Sequence, residues 1–153
     1  MRRQTGGVSS KVQQLLPVPR RDGGGPVEAL LTRISRGVAT VSAQVHEYAD
    51  WWDESNDRNI AALRSGGRRA WYVLGDSTAQ GIGASAPDRG WVGQLGDWLD
   101  GDGSSLGLTD LAVVNLSVSG AKVADLHRDQ LPAYRALVDA FGAPALTTVS
   151  VRS

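Results

Sequence analysis

Three short apolar runs without a charged residue stand out after residue 70, at residues 71–74, 111–118 and 145–151. Each run is continuous rather than alternating, which is typical of a parallel strand covered on both faces. Segments of helical periodicity separate the three runs. Strands joined by helical crossovers predict a parallel sheet with right-handed connections. The predicted fold class is therefore α/β, with helices and sheet in three layers.

The remaining segments carry apolar residues at spacings of three and four, the period of an amphipathic helix. Pro132 permits a new helix to start, so two helices are expected between the second and third runs. Trp51 and Trp52 are interpreted as packing of a helix against the sheet rather than as a stacking platform for a ligand. The predicted helices span residues 27–41, about 44–64, 90–100, 121–130 and 132–141.

The amino-terminal part differs in composition from the rest. Residues 1–40 hold seven basic and two acidic side chains, against nine and fourteen in residues 41–153, although the formal net charge of the chain is zero. A solvated basic tail is favoured over an arm that binds nucleic acid or a membrane surface. We predict a disordered basic arm at residues 1–26, rich in Gly and Pro, a helical lead-in at 27–66 and a partial α/β domain at 67–153.

The composition also excludes several classes of site. The chain has no cysteine, which excludes disulfides, thiolate metal sites and a cysteine nucleophile. No apolar run approaches the roughly 18 residues of a membrane-spanning helix. The charged start of the chain is not followed by the apolar stretch of a signal peptide. We expect a cytoplasmic address, no nucleic-acid partner, no membrane span, no metal and no cofactor.

The first apolar run leads directly into Gly75, Asp76 and Ser77. Gly75 frees the backbone to turn sharply, so the Ser77 hydroxyl is expected at the carboxyl end of a strand. In open α/β sheets the ligand crevice lies at this end. A serine in that position is a nucleophile if a base lies near it. The pattern makes Ser77 the first candidate catalytic residue.

Two blocks of sequence resemble a known family. Gly75-Asp76-Ser77-Thr78 resembles the first block of the SGNH, or GDSL, hydrolases, and Asn115-Leu116-Ser117-Val118-Ser119-Gly120 resembles the second. The resemblance covers about residues 45–151 and implies a flavodoxin-like three-layer sandwich with strand order 2-1-3. Three shorter stretches are similar to actinobacterial members, at residues 81–85, 90–92 and 130–132.

This resemblance implies a serine esterase, lipase or acyl hydrolase that acts on a small carboxylic ester. It implies Ser77 as the nucleophile and the backbone amides of Ser77 and Gly120 as donors to the oxyanion, where negative charge develops in the transition state. It also implies that Gly75 and Asp76 support the nucleophile turn. No metal or cofactor is implied.

Two further blocks of the family are missing from the sequence. The third run is followed by Arg152 and Ser153, so the asparagine that would complete the oxyanion hole is absent. The Asp-x-x-His block, which supplies the general base, is absent as well. His127 is interpreted as a solvent-facing helix residue, and His46 has no acidic partner at the family's spacing. The missing blocks lead us to expect a domain truncated after the third strand. Without a base a serine is a poor nucleophile, so we also expect this domain to be nearly inert toward esters.

Other readings remain open beside this one. The alternative function is a non-catalytic truncated remnant or a fragment that depends on a partner chain. Residues 81–86 match the dinucleotide pattern G-x-G-x-x-A, but six residues separate Leu74 from Gly81 and no acid ends the second run, so nucleotide binding is disfavoured. The third run is β-prone, uncharged and free of proline. As an outer strand it predicts self-association through residues 145–151.

Overall fold

The computed structural model describes residues 36–152, with side-chain surroundings from residue 43 onward. The predicted disorder of residues 1–26 lies outside the described residues, as does most of the first predicted helix. The secondary elements are α1 (Arg36–Arg64), β1 (Arg69–Gly75), α2 (Trp91–Asp100), β2 (Leu111–Asn115), α3 (Val123–Asp125), α4 (Leu131–Phe141) and β3 (Leu146–Ser150). A π-helical turn at Leu126–Gln130 joins α3 to α4, and 3-10 turns lie at Pro87–Arg89 and Ser104–Leu106.

The three strands form one parallel sheet in the order β2-β1-β3. Trp71 of β1 lies beside Val113 of β2 and beside Leu146 of β3. This confirms the predicted α/β class, the parallel pairing and the strand order of a flavodoxin-like arrangement. Because all three strands run in the same direction, their carboxyl ends meet at one edge of the sheet.

Both faces of β1 are buried, as its continuous apolar run predicted. Tyr72 and Leu74 lie on one face, and Trp71 and Val73 on the other, all at most 1 % exposed. The helical residues that cover the first face are Ile60, Leu63, Leu126, Ala133 and Leu137. Those that cover the second face are Trp52, Val92 and Leu99. The sheet is therefore the middle of three layers, and Trp52 packs in the core as predicted.

Helix α1 is longer than predicted. The expected break near residue 42 is wrong, because one helix runs from Arg36 to Arg64. No glycine or proline occurs between Val38 and Arg64, so nothing in the sequence interrupts the backbone hydrogen bonds. The helix ends where Gly66, with φ of 70°, donates its N–H to the Leu63 carbonyl.

The predicted break at Pro132 is also wrong, since helical backbone continues from Val123 to Phe141. A proline lacks the N–H of a regular helix, and its ring crowds the carbonyl four residues earlier. The π-helical turn that ends at Gln130 widens the helix directly before Pro132, and such widened turns occur as local insertions in longer helices. The backbone therefore stays helical across Pro132, with a wider π-helical turn before it in place of a break.

Helix α1 also lies along the outer edge of β2. Asn56 accepts a hydrogen bond from the backbone N–H of Asn115 (2.8 Å) and donates one to its carbonyl (2.9 Å). Asn59 donates to the Val113 carbonyl (2.8 Å). These bonds replace the partner strand that β2 lacks on this side. Within residues 36–152, no helix combines the length and apolar character needed to cross a bilayer.

Candidate functional site

Ser77 lies just beyond the carboxyl end of the central strand, β1. The Asp76 carbonyl accepts hydrogen bonds from the N–H groups of Ala79 (3.1 Å) and Gln80 (3.4 Å), and the Ser77 carbonyl accepts one from Ile82 (3.0 Å). These bonds form one helical turn with Ser77 in its first positions. The Ser77 side chain is half-buried, and its hydroxyl has no hydrogen-bond partner among residues 36–152.

The Asp76 carboxylate joins this turn to the chain that follows β3. One oxygen accepts hydrogen bonds from the N–H (2.9 Å) and the hydroxyl (2.8 Å) of Thr78. The other oxygen accepts the backbone N–H of Arg152 (3.2 Å). Burial alone would raise the pKa of the Asp76 carboxyl, but these hydrogen bonds and the charge of Arg152 together hold its pKa below the usual value. Asp76 is therefore an ionised hydrogen-bond acceptor at neutral pH.

Gln130 holds the end of β1 from the helical side. Its Oε1 accepts the Gly75 N–H, and its Nε2 donates to the Gly75 carbonyl, both at 2.8 Å. Only 1 % of Gln130 is exposed, and it is the last residue of the π-helical turn. A Cβ on Gly75 would collide with the Ser150 carbonyl, so only glycine fits between the strand ends. The backbone that leads into Ser77 is thus held by neighbours on both sides.

The chain after β2 is fixed to the Ser77 turn by two buried amides. Asn115 Oδ1 accepts hydrogen bonds from the N–H (3.1 Å) and the hydroxyl (2.5 Å) of Ser117, while its Nδ2 donates to the Ala79 carbonyl (2.8 Å). Gln80 Nε2 donates to the Ser117 carbonyl (3.0 Å). These bonds connect the block that begins at Asn115 to the residues directly after the Gly75–Thr78 block, 36 positions earlier in the chain.

Gly120 follows in the turn after β2. The Val118 N–H donates to the Gly75 carbonyl (3.1 Å), which brings this segment beside the end of β1. The Ala121 N–H donates to the Val118 carbonyl (3.0 Å), and Gly120 between them has φ of 78° and is exposed. The predicted role of the Gly120 amide as an oxyanion donor stays a prediction.

Helix α1 anchors the loop after Ser77. Trp52 Nε1 donates to the Gln80 carbonyl (3.0 Å), and the Tyr48 hydroxyl donates to the Ala84 carbonyl (2.8 Å). Both aromatic side chains are buried. A helix that the sequence placed only as a lead-in therefore holds the loop after Ser77 at two points, Gln80 and Ala84.

No described residue takes the place of the general base. His46 and His127 are both exposed, and within residues 36–152 neither imidazole hydrogen-bonds to Ser77. The charged residues at this edge of the sheet include Lys122 and Arg152, whose backbones form a parallel bridge. Among the described residues, no cluster of three or more His, Cys, Asp or Glu could hold a metal ion. The site consists of a serine, backbone amides and supporting polar side chains.

Sequence reasoning singled out Ser77, Gly75, Asp76 and Gly120 because they lie within the recognised blocks. It missed the supporting amides of Gln130 and Gln80. The signal for Gln130 was its place in a stretch similar to actinobacterial members, without a role attached to it. Compared with family models, curated proteins and solved structures, the chain matches none.

Proposed function

We propose that this chain carries the nucleophile half of an ester-hydrolase site, in which Ser77 attacks the carbonyl of a small carboxylic ester. The observation that supports this most is the placement of Ser77. Its hydroxyl, which has no hydrogen-bond partner among residues 36–152, lies just beyond the carboxyl end of the central strand, on a turn held by Asp76 and Gln130. Ligand crevices of open α/β sheets lie at this edge.

The proposed chemistry is acyl transfer in two steps. Ser77 Oγ forms a bond to the carbonyl carbon and loses its proton to a base from outside residues 36–152, such as imidazole or water, and the ester C–O bond then breaks as the alcohol takes a proton from that base and leaves. Water releases the acyl group from Ser77 in the reverse sense. The amides of Ser77 and Gly120 are the proposed donors to the oxyanion in both steps.

The lack of a base beside Ser77 among residues 36–152 determines the expected rate. Serine hydrolases deprived of their triad retain roughly 10³–10⁴-fold catalysis over water through the oxyanion hole and binding. Loss of one oxyanion donor costs a further factor of about 10²–10³. The chain by itself is therefore expected to hydrolyse esters no more than about 100-fold faster than the uncatalysed reaction.

Hydrolysis of p-nitrophenyl acetate by the purified full chain tests this proposal. We expect slow hydrolysis of which Ser77→Ala removes the share that passes through Ser77, so that its rate falls below that of the native chain, whereas Ser85→Ala leaves the rate unchanged, since Ser85 is an exposed serine of the same loop. Equal rates for the native chain and Ser77→Ala, with both proteins folded, would contradict a catalytic Ser77.

A second candidate function is a non-catalytic remnant or a fragment that depends on a partner chain, favoured because no imidazole of residues 36–152 hydrogen-bonds to Ser77. This candidate predicts that no ester acylates Ser77 faster than it acylates Ser85. Fast turnover that depends on both Ser77 and His127 would contradict it, and would assign the base to His127.

A further inference from the structure

Gln80 lies three residues after Ser77 and connects the Ser77 turn to two other parts of the fold. Its backbone N–H donates to the Asp76 carbonyl (3.4 Å), which makes Gln80 part of the turn itself. Its backbone carbonyl accepts the Nε1–H of Trp52 in α1 (3.0 Å), and its side-chain Nε2 donates to the Ser117 carbonyl (3.0 Å). Only 6 % of Gln80 is exposed. The residue is therefore held at three points inside the fold.

The backbone of Ser117 relies on side chains for its hydrogen bonds, because it faces away from β1. The residues on either side of Ser117 donate their N–H groups to carbonyls of β1, at 2.7 and 3.1 Å. Neighbouring residues of an extended chain direct these groups to opposite sides, so those of Ser117 point away from the sheet. There the N–H donates to Asn115 Oδ1 (3.1 Å) and the carbonyl accepts from Gln80 Nε2 (3.0 Å). Gln80 therefore holds the segment that leads to Gly120 from the side that β1 does not reach.

A second buried amide, that of Asn115, joins the same two segments and is fully paired. Asn115 Nδ2 donates to the carbonyl of Ala79, the residue before Gln80 (2.8 Å). Asn115 Oδ1 accepts the N–H (3.1 Å) and the hydroxyl (2.5 Å) of Ser117. Asn115 thus connects the two segments with both polar atoms of its side chain satisfied.

The side chain of Gln80, in contrast, is only half satisfied. Its Oε1 is buried and has no hydrogen-bond partner among residues 36–152, and it is the one such side-chain nitrogen or oxygen of those residues. An unpaired buried acceptor typically costs at least as much free energy as one intramolecular hydrogen bond contributes. An apolar side chain of the same length would avoid this cost. The stability of the fold therefore does not account for a glutamine at position 80.

We propose that Gln80 is a positioning residue of the ester-hydrolase site, and that its Nε2 holds the segment that carries Gly120 at a fixed distance from Ser77. This inference rests on the proposed function, which assigns the two oxyanion donors to the amides of Ser77 and Gly120. Donors of this kind stabilise the developing charge because they are held in place before the reaction, and small displacements weaken them. Loss of the bond from Gln80 to the Ser117 carbonyl lets the two donors move relative to each other. The glutamine is then explained by the site rather than by stability.

Gln80→Met in the full chain separates this role from a purely structural one. Methionine keeps the unbranched length of glutamine, but it cannot donate to the Ser117 carbonyl and carries no amide oxygen to leave unpaired. We expect a urea midpoint equal to that of the native chain or higher, whereas acetylation of Ser77 by p-nitrophenyl acetate in imidazole buffer slows about tenfold, less than the 10²–10³ of a donor removed outright. Gln94→Met, at an exposed position of α2, is the matched control and should change neither quantity.

The backbone order parameter of Gly120, from NMR relaxation, reports on the turn without any chemistry. We expect a rigid value of about 0.85 in the native chain and in Gln94→Met, and a lower value in Gln80→Met. An unchanged order parameter or an unchanged acetylation rate in Gln80→Met would overturn the positioning role, as would a urea midpoint below that of Gln94→Met. If Ser77 of the native chain is not acetylated at all, the proposed function itself fails, and the order parameter still shows whether Gln80 holds the turn.

Discussion

At the scale of residues, buried polar side chains fix the Ser77 turn. Asp76 and Gly75 could be predicted from the sequence, because they adjoin Ser77 within one recognised block. Gln130 could not be given its role, since it is 55 residues from Gly75 and its contact depends on the winding of a helix. Local patterns identify what a turn contains, whereas such long-range hydrogen bonds depend on the assembled fold.

The Asp76 carboxylate should give the protein an acid-sensitive component of stability. Its pKa is lower in the fold than in the unfolded chain, so the unfolded chain binds the proton more readily. The contribution is complete above the unfolded value of about 3.9 and is lost as pH falls through the lower folded value. We expect Asp76→Asn to be less stable than the native chain at neutral pH, with the difference shrinking below about pH 4.

Urea denaturation from neutral pH down to about pH 2 measures this difference. Asp57→Asn, at an exposed position of α1, is the control and should follow the native curve. A gap between Asp76→Asn and the native chain that stays constant over the whole range would argue against the ionised acceptor.

Gln130 provides a second test at this scale. Gln130→Leu removes both side-chain hydrogen bonds and leaves the buried Gly75 N–H without its acceptor. We expect the free energy of unfolding to fall by about 1–3 kcal/mol. Gln94→Leu, at an exposed position of α2, should change it by no more than about 0.5 kcal/mol. Equal losses in the two variants in chemical denaturation would disprove a supporting role for Gln130.

At the scale of elements, the apolar runs predicted the three strands and the helix of residues 91–100, because periodicity reflects burial directly. The end of β2 was predicted at Val118, whereas the strand ends at Asn115. Gln130 takes the Gly75 N–H that a continuing β2 would bond, so the ladder stops early even though the Val118 N–H still reaches β1. The helix breaks predicted near residue 42 and at Pro132 are wrong, because winding and length depend on what the backbone can accommodate.

The contact between α1 and the β2 edge can be tested as a unit. Asn56→Ala removes two hydrogen bonds to the backbone of Asn115 and leaves buried groups unpaired. We expect a loss of about 1–3 kcal/mol in the free energy of unfolding and faster hydrogen exchange at the Asn115 amide. Asp57→Ala, one residue along the same helix but exposed, should show neither effect. Unchanged exchange at Asn115 in Asn56→Ala would contradict the hydrogen bonding of the β2 edge by α1.

At the scale of the whole molecule, the central strand β1 leads to the candidate site and pairs with both other strands. Its carboxyl end leads to Ser77, and among residues 36–152 no strand lies beyond its partner β3. The fold class followed from the alternation of strands and helices, and the strand order from the family resemblance. The closure of one edge by α1 could not be predicted, because Asn56 and Asn59 look like ordinary polar positions of an amphipathic helix until the helix is placed beside β2.

The most direct test of a nucleophilic Ser77 is the site of acetylation by p-nitrophenyl acetate, with imidazole added as an external base. Peptide mass spectrometry locates the acetyl group on the native full chain, on Ser77→Ala and on Ser85→Ala. The account predicts that acetylation of the Ser77 peptide is accelerated by imidazole, is lost in Ser77→Ala and is retained in Ser85→Ala. Acetyl groups spread over lysines and serines at the same rates in all three proteins would contradict it.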